Sequence, residues 1–205
     1  FSIMIAIYYY MSTDRVKKII MGILMLTIIS PPFVTSLSYI KLFGKRGLIT
    51  YGILGLSISP YGQLGIVLMQ SLGFTSMNAI LLIGYLDQLD KTFIESARSL
   101  GAKTTDIIKD IILPLMKPAI TVVMLLSFIR SLSDFSTPRI IGGAFNVLAT
   151  EAYLSMIAKG DIRRAATISL ILFIPAMIVF MLYIKRFQSL STTQHGISSG
   201  EGVNI

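Results

Sequence analysis

Apolar runs close to the length of a membrane crossing alternate along this chain with charged or Gly/Pro-rich breaks. A helix rises 1.5 Å per residue, so about 20 apolar residues cross the ~30 Å hydrocarbon layer. The first run, Phe1 to Met11, ends before the basic cluster Arg15, Lys17 and Lys18, which opens a second run from Ile19 to near Leu42. Ser30-Pro31-Pro32 lies in its middle, and two missing amide donors predict a kink. That kink reads equally as a packing feature or as a bend lining a pathway. The turn Phe43-Gly44-Lys45-Arg46-Gly47 leads into a Gly-rich, interfacial stretch, Tyr51 to Gly62, with Ser59-Pro60-Tyr61-Gly62 as a breaker. Further spans are expected from Gln63 to Leu86, from Ala119 to near Leu132, and from Ala165 to Ile184, where Lys185 and Arg186 stop the last one. Ser133 to Asp161 is mixed, with a helix-like run near Thr150 to Ile157.

The pattern predicts an all-α membrane protein with four complete transmembrane helices and part of a fifth. Phe1 opens inside an apolar run without a basic leader or a small-residue cleavage site, so it does not read as a signal peptide. The expectation is a fragment lacking its N-terminal part. Residues 1–187 form the membrane domain, and 188–205 read as a flexible polar tail or linker.

Composition agrees with the lipid bilayer as solvent. The chain is 54% hydrophobic and 14% charged, against about 45–50% and about 25% in soluble domains, and its mean hydropathy is +0.77. Cysteine is absent, and the lone His195 sits in a Ser/Thr/Gly-rich tail with no second ligand type nearby. No metal site and no cofactor are expected. The net charge of +8 is scattered over membrane flanks, where topology explains it better than a nucleic-acid face does. No Gly-x-x-x-x-Gly-Lys-[Ser/Thr] loop occurs and no catalytic constellation stands out, so an enzyme is not expected. A secondary transporter is a weaker alternative, because the spans proper carry no carboxylate for a midplane site. A structural membrane scaffold is the other.

The segment 87–118 changes the picture. It is polar and charged and lies between two spans, yet typical connections are only about 4–6 residues long. Thr92-x-x-Glu95 has the form of a capping box. Phe93, Ala97 and Leu100 give a short helix one apolar stripe, and Gly101 stands where a left-handed cap is needed. A second short helix starts near Thr105, presents Ile107, Ile108, Ile111 and Ile112, and is expected to end at Pro114. Two helices meeting at a glycine corner form a knob suited to docking a soluble partner.

Glu95-Ser96-Ala97, three residues, Gly101, nine residues, Ile111, one residue, then Leu113-Pro114 resembles the EAA loop of permeases of binding-protein-dependent ATP-binding-cassette (ABC) importers. Ser96 replaces the middle Ala of that motif, and every other named position matches. Ser30-Pro31-Pro32-Phe33, Leu42-Phe43-Gly44 with Gly47, Asp134-Phe135 with Thr137-Pro138, and Asn146 to Thr150 resemble the iron(III)-type subgroup. The resemblance implies a type I permease core, multi-pass in the cell (inner) membrane, whose loop fits cytoplasmic ATP-binding subunits. It also implies an extracytoplasmic substrate-binding protein and a second permease half, an identical chain or one fused through the tail. Ferric iron is the implied cargo.

With the loop facing the cytoplasm, Arg15, Lys17, Lys18, Lys91, Arg98, Lys103, Lys109, Lys117, Lys185 and Arg186 lie inside. Lys41, Lys45, Arg46, Arg139, Lys159, Arg163 and Arg164 lie outside, a small bias in the required direction. Arg130 and Asp134, four residues apart at the outer end of a span, predict a self-neutralising salt bridge or, more sharply, an exit from the translocation path.

Overall fold

The computed structural model describes residues 1–55, 61–90 and 92–198, with residues 32, 33 and 186–198 described by backbone alone. The elements are α1 (Ser2–Met11), α2 (Asp14–Ile29), α3 (Pro32–Phe43), a π-helical turn (Leu48–Ile53), α4 (Gln63–Leu86) and α5 (Thr92–Ser99). They continue with α6 (Thr104–Asp106), a π-helical stretch (Ile107–Ile112), α7 (Leu113–Ser133), α8 (Ser136–Ile141), α9 (Leu148–Ile157) and α10 (Ile162–Ser198). Ser59 and Pro60 of the expected breaker lie outside the described residues.

Gln63–Leu86, Thr104–Ser133 and Ile162–Lys185 are long and apolar enough to cross a membrane. Asp14–Ile29 and Val34–Ile53 qualify together only as a pair bent by 106°. Four expected complete spans thus become three long helices plus this bent pair, with α1 as the partial one. Between Ile19 and Leu42 the expected kink is a full break. Ser30 (ψ 129) and Pro31 (ψ 142) each precede a proline and are both driven out of the helical region. Pro32 then starts α3 in its first turn, where its missing amide costs nothing.

Pro114 does not end the loop's second helix, contrary to expectation. The amide of Leu113 reaches back to the carbonyl of Ile108. This five-residue register widens the helix just before the proline ring and relieves its clash with the preceding turn. The helix that carries this span therefore begins at Thr104 rather than Ala119. At the other end, the α10 helix carries past Lys185 to Ser198 through the polar stretch, which offers no proline to stop it.

Two apolar clusters sit at opposite ends of α4. The larger joins Ala79, Leu82, Ile83 and Leu86 to Ala6 of α1, Leu24 of α2, and Ile107, Ile112 and Met116 of the loop and α7. The smaller joins Met69 to Tyr39 of α3 and Ile141 of α8. Polar ties brace the helices between them: Asn78 Nδ2 donates to Ser127 Oγ at 2.7 Å and Ser2 Oγ to the Thr75 carbonyl at 3.2 Å. Such bonds contribute where apolar packing has little advantage over lipid.

The α9–α10 corner turns at Gly160 (φ 63) and is held by Glu151, which pairs with Lys159 at 2.9 Å and Arg164 at 3.1 Å. The Lys159 hydrogen bond first, then the lysine's charge, holds the Glu151 carboxyl below its ordinary value. This contribution to folding is therefore complete above the ordinary carboxylate range and is lost as pH falls through the lowered value.

With α4 and α7 crossing the bilayer, the loop that joins them must lie wholly on one side. A cysteine at position 103 (Lys103→Cys), in a sequence with none of its own, should react with an impermeant maleimide only from the cytoplasmic face. Reaction from outside would reverse the topology.

Candidate functional site

The loop is built from its caps inward. Asp90 Oδ1 accepts the amide of Thr92 at 2.9 Å. That bond first, and the Thr92 side chain second, hold the Asp90 carboxyl below its ordinary value. The expected capping box between Thr92 and Glu95 is thus replaced: Asp90 caps α5, and Glu95 is exposed. At the far end the amide of Ala102 bonds the carbonyl of Ala97 at 3.0 Å, and that of Gly101 bonds Arg98 at 2.9 Å. These are the paired bonds of a Schellman cap, with Gly101 left-handed at φ 83 as expected. A Cβ added at Gly101 meets nothing within 4 Å, so backbone conformation rather than space calls for glycine there.

The apolar stripe of α5 differs from the expected one. Ile94 and Ala97 pack on the larger cluster, whereas Phe93 and Leu100 are 60% and 89% exposed. Helical spacing admits both stripes, and the platform selects between them through Ile107 and Ile112, each 1% exposed. Of the remaining expected loop residues, Ile111 and Leu113 are half-buried, while Ser96, Gly101 and Pro114 are exposed. The corner thus has an anchored underside and an apolar outer tip. Beneath it, a cleft of about 160 Å³ is lined by Tyr10, Lys17, Glu95, Arg98 and Ile112 among others.

A second feature is a cavity of about 780 Å³ bounded by the α2–α3 break, the middle of α4, the end of α7 and the start of α8. Arg130 and Asp134 both line it, but they do not form the expected salt bridge; the ion pairs among the described residues are those of Glu151. Helix α7 ends at Ser133 and Asp134 is extended (ψ 105), so the four-residue spacing no longer sets the two on one helical face. Asp134 Oδ1 instead accepts the amides of Ser136 and Thr137 at 3.0 and 3.1 Å, and Oδ2 accepts Gln70 Nε2 at 3.1 Å. Arg130 lies over the Phe74 ring at 5.2 Å from its centroid.

Gln70, Phe74 and Asn78 were not expected in the site. The available signal was their spacing: four residues apart, they fall on one face of α4, and two are amides in a span without charged residues.

Residues 1–192 match the family described as the binding-protein-dependent transport system inner membrane component, and the chain belongs to that family. It is 32% identical over 163 residues to the putative ferric transport system permease protein FbpB 1 of Haemophilus influenzae, covering 77% of this chain and 26% of that protein. It is also 32% identical over 163 residues to the ferric transport system permease protein FbpB of Actinobacillus pleuropneumoniae, covering 77% and 24%. This chain therefore spans about a quarter of the length of these relatives. A chain of the bacterial alginate ABC transporter, solved with an alginate-bound periplasmic protein, superposes with a TM-score of 0.72 at 16% identity, over 89% of this chain and 69% of that one. That likeness establishes the fold, a type I ABC permease core.

The left-handed corner makes a local prediction. Gly101→Val should strain the backbone by about 1–2 kcal/mol without a side-chain clash. Hydrogen exchange at the Gly101 and Ala102 amides should accelerate while protection in α4 is unchanged. Unaltered exchange at the corner would show that the cap tolerates a β-branched residue.

Proposed function

We propose that this chain forms the translocation path of an ABC importer and transmits the action of separate cytoplasmic ATP-binding subunits to it. The observation that carries this reading is the capped corner at Gly101, exposed at its tip and rooted through Ile107 and Ile112 in the cluster that joins α1, α4 and α7. A force applied to α5 is delivered directly to the helices that border the larger cavity. Glu95, Ser96, Ala97 and Gly101 form the docking turn, and Ile111, Leu113 and Pro114 its connection to α7. ATP hydrolysis belongs to the partner subunit, and the cargo crosses chemically unaltered.

A complete transporter adds an extracytoplasmic binding protein and a second permease half, identical or fused. Ferric iron is the leading cargo, supported by the likeness to two ferric permeases and by the segment from Asp134 to Thr150. Strains lacking the full-length gene should lose ferric iron uptake while other binding-protein-dependent cargos still enter. Normal iron uptake with loss of phosphonate, thiamine or polyamine uptake would reject iron and keep the importer.

Coupling is tested separately. In the assembled transporter, Gly101→Val at equal membrane abundance should leave ATP hydrolysis running while uptake collapses. Wild-type uptake by this variant would remove the corner from the transmission path.

A further inference from the structure

The larger cavity holds two charged side chains in contrasting states. The Asp134 carboxylate is engaged by three donors, the amides of Ser136 and Thr137 and the side chain of Gln70. Gln70 is itself fixed, because its Oε1 accepts Ser131 Oγ at 2.7 Å. Hydrogen bonds of this kind spread the negative charge over neighbouring dipoles and leave the carboxylate little left to offer a ligand. Arg130 is the opposite case. Its guanidinium rests against the Phe74 ring at 5.2 Å, and no carboxylate lies within ion-pair distance among the described residues. An aromatic face steers and partly stabilises a cation, but it leaves the in-plane N–H donors of the fork unused.

A cation in a membrane span is expensive and faces a pathway or a partner. Arg130 faces a cavity whose other polar lining includes Thr27, Thr35, Asn78 and Ser133. These side chains solvate without adding negative charge. The two formal charges of the lining cancel, but the guanidinium is the charged group that keeps donors open to a ligand, whereas three donors already occupy the Asp134 carboxylate.

We propose that the cargo crosses this cavity as an anion, with Arg130 as its countercharge and Phe74 holding the guanidinium in place. The inference rests on the proposed importer role. For iron it means that the metal crosses as an anionic complex with an oxyacid or carboxylate chelator rather than as a bare cation. A bare cation meets a guanidinium that has no carboxylate partner among the described residues, and an Asp134 already occupied. A polyamine is disfavoured for the same reason.

The test uses the full-length gene in a strain lacking it, with the whole transporter present and membrane abundance matched by immunoblot. Uptake is measured for radiolabelled iron(III) supplied as its citrate complex, for labelled 2-aminoethylphosphonate, and for labelled spermidine. For whichever anionic cargo enters, Arg130→Gln should lower uptake about tenfold at subsaturating concentration. Arg130→Lys, which keeps the charge, should recover most of it. Arg163→Gln, which removes an exposed cation outside the cavity lining, should leave uptake unchanged. Entry of the phosphonate but not of iron, with the same dependence on Arg130, rejects the ferric reading and supports the anionic pathway. Uptake indifferent to Arg130→Gln, failure of Arg130→Lys to recover it, entry of spermidine, or entry of neither anionic cargo each overturns the proposal.

Discussion

The apolar joint between the end of α4 and the start of the α6–α7 helix is the contact on which the rest depends. Leu82, Ile83 and Leu86 from one side meet Ile107, Ile112 and Met116 from the other, all at 1% exposure or less. Deep in lipid, such packing would gain little over contact with acyl chains. This joint lies beside Asp87, Asp90, Lys103 and Asp106, which are mostly exposed polar positions of the loop. Water is therefore the competing solvent, and each large side chain contributes on the order of 1.5–3 kcal/mol by leaving it. The corner at Gly101 is held in place by this joint, and α1 is drawn into it through Ala6.

Away from the joint, α4 keeps its neighbours close by other means. Gly65, Ser76 and Ala79 are buried along it, and small residues let helices approach where the hydrophobic drive is weak. Hydrogen bonds from Asn78 and Gln70 then tie its middle to α7 and to the turn that begins α8. Between these ties the helices leave open space, because α2 stops at Ser30 and α3 sets off across the end of the bundle. The proline break and the larger cavity are thus linked. Had the chain run straight through Pro31 and Pro32, the space beside Gly73 would face a continuous helix.

One element joins the loop to the larger cavity. The helix from Thr104 to Ser133 runs without a break from the corner to Arg130, and its π-helical stretch lets it pass Pro114. A continuous helix transmits displacement along its axis, and α4 runs alongside it with the two apolar clusters at its ends. Packed interfaces of this kind switch between discrete arrangements rather than deforming gradually.

Much of this was legible in the chain itself. Apolar length against hydrocarbon thickness determined the membrane class and located α4 and α10. The corner of the loop was legible at Gly101, because a left-handed cap is a local backbone requirement. Tertiary structure decided what local rules leave degenerate. Two stripes of α5 satisfy helical spacing, and only the platform of Ile107 and Ile112 selects Ile94 over Phe93. Pro114 is a helix stop in isolation, but a wider register just upstream lets the helix through. Arg130 and Asp134 are partners by spacing only while the helix lasts. Once α7 ends at Ser133, amides from α8 and from distant Gln70 claim the carboxylate, and long-range competition of that kind leaves no trace in a four-residue interval.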